Sequence, residues 1–223
     1  MVDENDSFIR EVNEELRSDQ VKDVWRRFGK IIIGLALLIV VGTAGYRGYE
    51  YWLNTQASGS GDRFLAALKL SKDGKNDEAL AALEALEKDG HGSYPVLAQM
   101  RAATIQAQQG HTDAAVSGFD AIAKDTSAPD AIRDVARLRS AWLLIDSGDY
   151  DRVSAEVEVM AVPENPMRHS AREALGLTAY KAGEFGRARE WFEQITEDPE
   201  TPGNVRSRAQ MLLDDIIASQ GAS

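Results

Sequence analysis

Four glycines, Gly74, Gly110, Gly148 and Gly183, stand 36, 38 and 35 residues apart, each between two segments of helical length. The segments read LKLSKDGKNDEALAALEALE, QAQQGHTDAAVSGFDAIA, WLLIDSGDYDRVSAEVEVM and ALGLTAYKAGEFGRAREWFEQI. They are rich in Ala and Leu, and no apolar–polar alternation of the kind a half-buried strand needs runs through them. A glycine placed between two such helices supplies a tight or left-handed turn, so each block reads as an antiparallel helical hairpin. Side-chain size recurs in the same register. Ala79, Ala115 and Ala188 lie five residues after their glycines, and Phe119 and Phe192 lie nine after theirs. Small residues let paired helices approach and large ones fill the groove between them. A hairpin of this kind cannot bury its apolar face alone, so successive hairpins must stack.

The period is close to the 34 residues of a tetratricopeptide repeat. The fourth block matches that repeat best: Leu175-Gly176 on the first helix, Gly183 at the turn, Phe185 after it, Ala188 and Phe192 on the second helix. The third keeps Ala141 and Tyr150 but has Val153 at the small position. Thr201-Pro202-Gly203-Asn204 is a helix start, and 204–219 is predicted to cap the stack. The expected class is all-α: an α-solenoid of about four hairpins over 62–220, with Gly74, Gly110, Gly148, Gly183, Gly176, Ala188 and Phe192 as its packing positions.

A second feature lies upstream. Ile31–Tyr46 carries no charged residue. These 16 residues fall a little short of the roughly 20 that a bilayer core requires. The flanks extend the span, because Lys30 and Arg47 can snorkel and Trp25, Tyr51 and Trp52 suit the two interfaces. A transmembrane helix is predicted at 29–52, with 53–61 (Thr55 to Gly61, small and polar) as a linker. Thirty residues, 8 of them acidic, precede the apolar run, which does not fit a cleaved leader. Lys22, Arg26, Arg27 and Lys30 crowd the N-terminal side while Arg47 stands alone on the other. The N-terminus is therefore expected in the cytoplasm of a bacterium and the repeats in the periplasm, anchored to the inner membrane. Residues 1–28 form an imperfect amphipathic arm, with Phe8, Val12, Leu16, Val24 and Phe28 recurring at multiples of four.

Chemistry is sparse. The chain has no Cys and three histidines, His91, His111 and His169, none with a metal-site or nucleophile–base neighbour and all expected at the surface. No Gly-rich phosphate loop, nucleophile elbow or cation loop occurs. The reading is a protein without catalytic, cofactor or metal residues. A net charge of −11 disfavours nucleic acid as a partner. Trp142 and Tyr180 fall on the first helices of the third and fourth hairpins, on the side that lines the inner groove. Exposed aromatics there suit peptide binding.

The order of parts resembles the YfgM-like family of ancillary subunits of the bacterial SecYEG translocon. The most telling stretch is EELRSDQVKDVWRRFGKIIIGLALLIVVGTAGYRGYEYW: a charged helix, Trp25, a basic cluster, the apolar span, and the Tyr51-Trp52 exit. The resemblance implies a non-catalytic scaffold at the translocon, with Sec membrane subunits and periplasmic chaperones or newly exported chains as partners. Two rivals remain open: a repeat adaptor for cell-envelope assembly or division, and a membrane-tethered enzyme accessory.

Overall fold

The computed structural model describes residues 3–221, with side chains at 25–52 and 55–219, so the apolar stripe of the N-terminal arm up to Val24 lies outside the described side chains. The chain divides into two compact units, Met1–Gln56 and Ala57–Ser223.

The first unit is carried by α1 (Asp3–Lys72), an unbroken helix. Every residue from 31 to 49 is exposed, and no other described element packs on them. A soluble core helix of this composition would be covered by neighbours. The segment is long and apolar enough to cross a membrane.

The second unit is a stack of helical hairpins. The end of α1 pairs with α2 (Asn76–Asp89), α3 (Tyr94–Gln108) with α4 (Thr112–Lys124), α5 (Asp130–Leu144) with α6 (Tyr150–Val157), and α7 (Arg168–Lys181) with α8 (Phe185–Glu197). The last helix, α9 (Gly203–Gly221), lies against α8 and α7. No strand occurs among the described residues.

Local physics explains the turns. Gly74, Gly110, Gly148 and Gly183 all have positive φ, at 78°, 79°, 66° and 76°. In three turns the residue after the glycine donates its N–H across six residues to the preceding helix: Lys75 to Leu70, His111 to Gln106 and Glu184 to Ala179, each at 2.9 Å. This is the Schellman closure, which satisfies carbonyls that the helix end would leave bare. The third turn departs from it. A 3-10 turn, Ile145–Ser147, precedes Gly148, and the Asp149 side chain caps α6 by accepting from Arg152 N–H at 3.2 Å. That extra turn accounts for the longer spacing before Gly148.

Four apolar clusters follow, one at each junction. Ala67, Ala79, Leu83, Leu86, Ala98 and Ile105 fill the first; Ala103, Ala115, Phe119, Ile122 and Ala136 the second. Ala141, Val153, Val157, Met160, Ala171 and Leu175 fill the third; Ala179, Ala188, Phe192, Ile195, Val205, Ala209 and Ile216 the fourth. The register is stricter than the Ala and Phe matches suggest. Nine residues after each glycine stands a buried large residue, Leu83, Phe119, Val157 or Phe192. Twelve after stands another, Leu86, Ile122, Met160 or Ile195.

One expectation is corrected. The segment 53–61 is helix rather than linker, and the compact unit begins at Ala57 instead of 62. Its small residues serve contact. Buried Ser60 accepts the His91 N–H at 2.9 Å, and a Cβ on Gly61 would lie 2.7 Å from the Tyr94 hydroxyl. Small side chains here bring the start of α3 close to α1.

Candidate partner-binding groove

The first helices of the second and third hairpins, α3 and α5, bound an open groove of about 580 Å³. Thr104, Ala107 and Gln108 form one wall, Arg139, Trp142 and Leu143 the other, and Phe119 of α4 the floor. Phe119 is fully buried in the second cluster, so the floor is fixed by the core. Trp142 is 42% exposed, a large apolar surface left open to solvent beside an apolar trough. Arg139 sits one turn before it on the same helical face.

The polar atoms of the groove are largely unengaged. Thr104 donates its hydroxyl to Met100 O at 2.7 Å. Among the described residues the Gln108 amide, the Arg139 guanidinium and the Trp142 indole N–H have no hydrogen-bond or ion-pair partner. The neighbouring arginines of α5 differ: Arg133 pairs with Asp130, and Arg137 with Asp134 at 3.2 Å.

Tyr180 is not brought to this groove. It is half-buried on α7, its ring edge-on to Phe185 at 5.6 Å, and its hydroxyl donates to the Asp215 carboxylate of α9. That hydrogen bond holds the phenol protonated above its ordinary range. Tyr180 ties the fourth hairpin to the last helix instead of lining an open site. Sequence reading missed Gln108, Thr104 and Phe119 as partners of Trp142, since nothing in their spacing places them opposite it.

His169, expected at the surface, is 7% exposed. It stands in a polar network between α7 and the α8–α9 turn. Asp198 accepts from Arg168 Nε at 2.9 Å and from Arg172 Nη1 at 3.3 Å, and Arg168 also pairs with Glu200. Thr201 Oγ1 lies 3.0 Å from His169 Nδ1 and donates to Ile195 O at 2.7 Å. The Arg168 hydrogen bond, helped by the Glu200 N–H, holds the Asp198 carboxyl down at about 2. Burial, reinforced by the Arg168 charge, pushes His169 below its ordinary value, and Asp198 only partly opposes this. Arg206 of α9 donates to Asp198 O at 2.8 Å, so the arrangement closes the fourth hairpin onto α9.

Gly176 lies where α7 passes close to α8: a Cβ there would stand 2.6 Å from the Phe192 ring. Ala188 and Phe192 are fully buried beside it. Trp25, Lys30, Tyr51 and Trp52 are exposed along the first unit, and Arg47 pairs with Glu50 at 3.0 Å. Among the described residues no group of His, Asp and Glu is arranged to hold a metal ion.

Stacked helical hairpins with left-handed glycine turns, a capping helix and an open groove on the first helices define a tetratricopeptide-like helical-repeat protein. The chain belongs to the tetratricopeptide repeat-like domain family, whose profile matches residues 22–218 and so takes in the apolar segment as well as the repeats. Solved structures share the fold, two of them as follows. One is a tetratricopeptide repeat protein from Parabacteroides merdae, with TM-score 0.57 and 16% identity over 73% of this chain. The match spans only 61% of that protein's own chain. The other is a Podosopora anserina structure described as a kinesin light chain with nearly identical TPR-like repeats, with TM-score 0.56 and 17% identity over 75% of this chain and 89% of that one. Identities this low speak to fold alone. Comparison with curated proteins finds no match.

Proposed function

We propose that this chain is a membrane-anchored, non-catalytic scaffold that binds protein partners through its helical repeats. The observation that carries it is the groove: Trp142 exposed beside a floor fixed by Phe119, with unengaged amide, guanidinium and indole donors on its walls. An exposed tryptophan beside an apolar trough is the kind of anchor on which protein interfaces concentrate their binding energy. The uncovered apolar face of α1 from 31 to 49 supports the anchor. The excess of basic residues before the span supports a cytoplasmic N-terminus and periplasmic repeats in a bacterial inner membrane. Within that setting, the order of charged arm, span and repeats supports association with the Sec translocon, with periplasmic chaperones or emerging chains as further partners.

The test is recovery of native partners from mild detergent by quantitative mass spectrometry, using the full chain and its Trp142→Ala variant. Translocon subunits retained by both, with soluble partners lost from the variant, are the expected result. Absence of translocon subunits from both forms removes the translocon assignment. Envelope-assembly or division proteins in their place would make this an adaptor for that machinery.

A further inference from the structure

Resting on the scaffold reading, the structure points to the kind of segment the groove takes. We infer that the α3–α5 groove binds an extended internal stretch of a partner protein in which one carboxylate side chain lies beside a bulky apolar one.

The argument begins with the balance of polar groups. The groove's unengaged groups are the Arg139 guanidinium, the Trp142 indole N–H and the Gln108 amide, and the first two only donate. Among the lining residues there is no carboxylate. The complement to such a wall is an acceptor, and for a guanidinium the strongest acceptor is a carboxylate. Arg139 is suited to it because no acidic side chain of its own chain competes, whereas Arg133 and Arg137 on the same helix are each neutralised within one turn. The apolar half of the ligand follows from Phe119, Ala107, Leu143 and the exposed Trp142 face, which together accept one large side chain. Gln108 offers a donor and an acceptor at the rim, suited to the peptide backbone of an extended segment.

Two alternatives are disfavoured by the same geometry. A C-terminal carboxylate is usually captured by free backbone N–H groups. The groove walls come from the later turns of α3 and α5, where peptide N–H groups are engaged within the helix. A polyacidic tract is opposed by the net charge of −11. One carboxylate flanked by apolar residues satisfies Arg139 and limits the general repulsion.

The test uses the full-length chain in detergent and a displayed library of random dodecapeptides. The consensus peptide is then synthesised with an amidated C-terminus, both as selected and with its acidic residue changed to the matching amide. Binding of both peptides is measured to the parent chain, Arg139→Gln and Trp142→Ala. The expected result is a consensus with one Asp or Glu next to an aromatic or large aliphatic residue. Arg139→Gln should weaken the acidic peptide about tenfold and leave the amide peptide unchanged, and Trp142→Ala should weaken both. Arg139 is exposed, so its replacement leaves the core untouched. A consensus without a carboxylate, or equal loss for both peptides on Arg139→Gln, overturns the inference and leaves the scaffold reading standing. A consensus that binds only with a free C-terminus overturns the internal-segment assignment. Failure to select any peptide, together with no protein partner recovered from a folded chain, overturns both readings.

Discussion

At the scale of single residues, two kinds of glycine do different work. The turn glycines are required by backbone conformation, so Gly183→Ala forces an alanine to φ near 76° and should cost about 1–2 kcal/mol. Gly176 is required by space. Gly176→Ala sets a methyl 2.6 Å from Phe192 and should destabilise by about 1–3 kcal/mol, because the ring it displaces is itself enclosed. Urea unfolding of each variant checks both values. The double variant Gly176→Ala/Phe192→Leu should recover part of the loss, which a purely conformational effect at Gly176 would not allow. The turn positions were legible in the sequence because a left-handed turn is a local requirement. The buried series twelve residues after each glycine, Leu86, Ile122, Met160 and Ile195, was not singled out, because four different apolar side chains fill one structural role.

At the scale of elements, the junction between the fourth hairpin and α9 depends on protonation. Burial, with the Arg168 charge beside it, lowers the His169 pKa in the folded chain below its unfolded value. Its contribution to stability is full above the unfolded value of about 6.5 and is lost as pH falls from there through the folded value. Asp198, depressed to about 2, keeps its contribution until pH falls below the unfolded carboxylate range, a separate and more acidic window. Thermal stability should therefore decline as pH falls from neutral through the unfolded histidine value, and His169→Gln should flatten that decline while leaving the loss at lower pH. A decline unchanged in His169→Gln would assign it to other groups. Neither this network nor Tyr180–Asp215 could be read from sequence, because the partners lie some 30 residues apart and exposed or buried forms of His and Tyr look alike. The segment 53–61 misleads for a related reason. Ser and Gly suit both a flexible linker and a close helix contact, and only Tyr94 and His91 opposite them decide which. A further expectation concerns α6, whose eight residues make it the shortest helix of the stack. Its amides should exchange with deuterium faster than those of α4 or α8, and equal protection would show that the third hairpin opens only with the whole.

At the scale of the whole molecule, the absence of Cys in the chain makes its proposed topology directly measurable. Single substitutions Ser18→Cys and Asp113→Cys place a unique thiol on either side of the apolar span. In spheroplasts, a membrane-impermeant maleimide should label Asp113→Cys and spare Ser18→Cys until detergent is added. The full chain should also remain in the membrane pellet through an alkaline carbonate wash. Reversed labelling would overturn the orientation, and release by carbonate would overturn the anchor. The apolar span was legible from its lack of charge, and the all-α repeat class from the glycine spacing and the Ala and Phe register. The groove was visible only in part: Trp142 by register, its opposite wall not at all.

Each apolar cluster joins hairpins that are neighbours in sequence, and none joins the first to the last. Such a chain closes only short loops on its way to the native state, so the entropy to be overcome at each step is small and folding is expected to be fast. A polypeptide that emerges N-terminus first presents each new hairpin with a finished surface to dock on. The structure can therefore grow in the direction of synthesis, one hairpin at a time, with α9 covering the apolar face of the fourth hairpin.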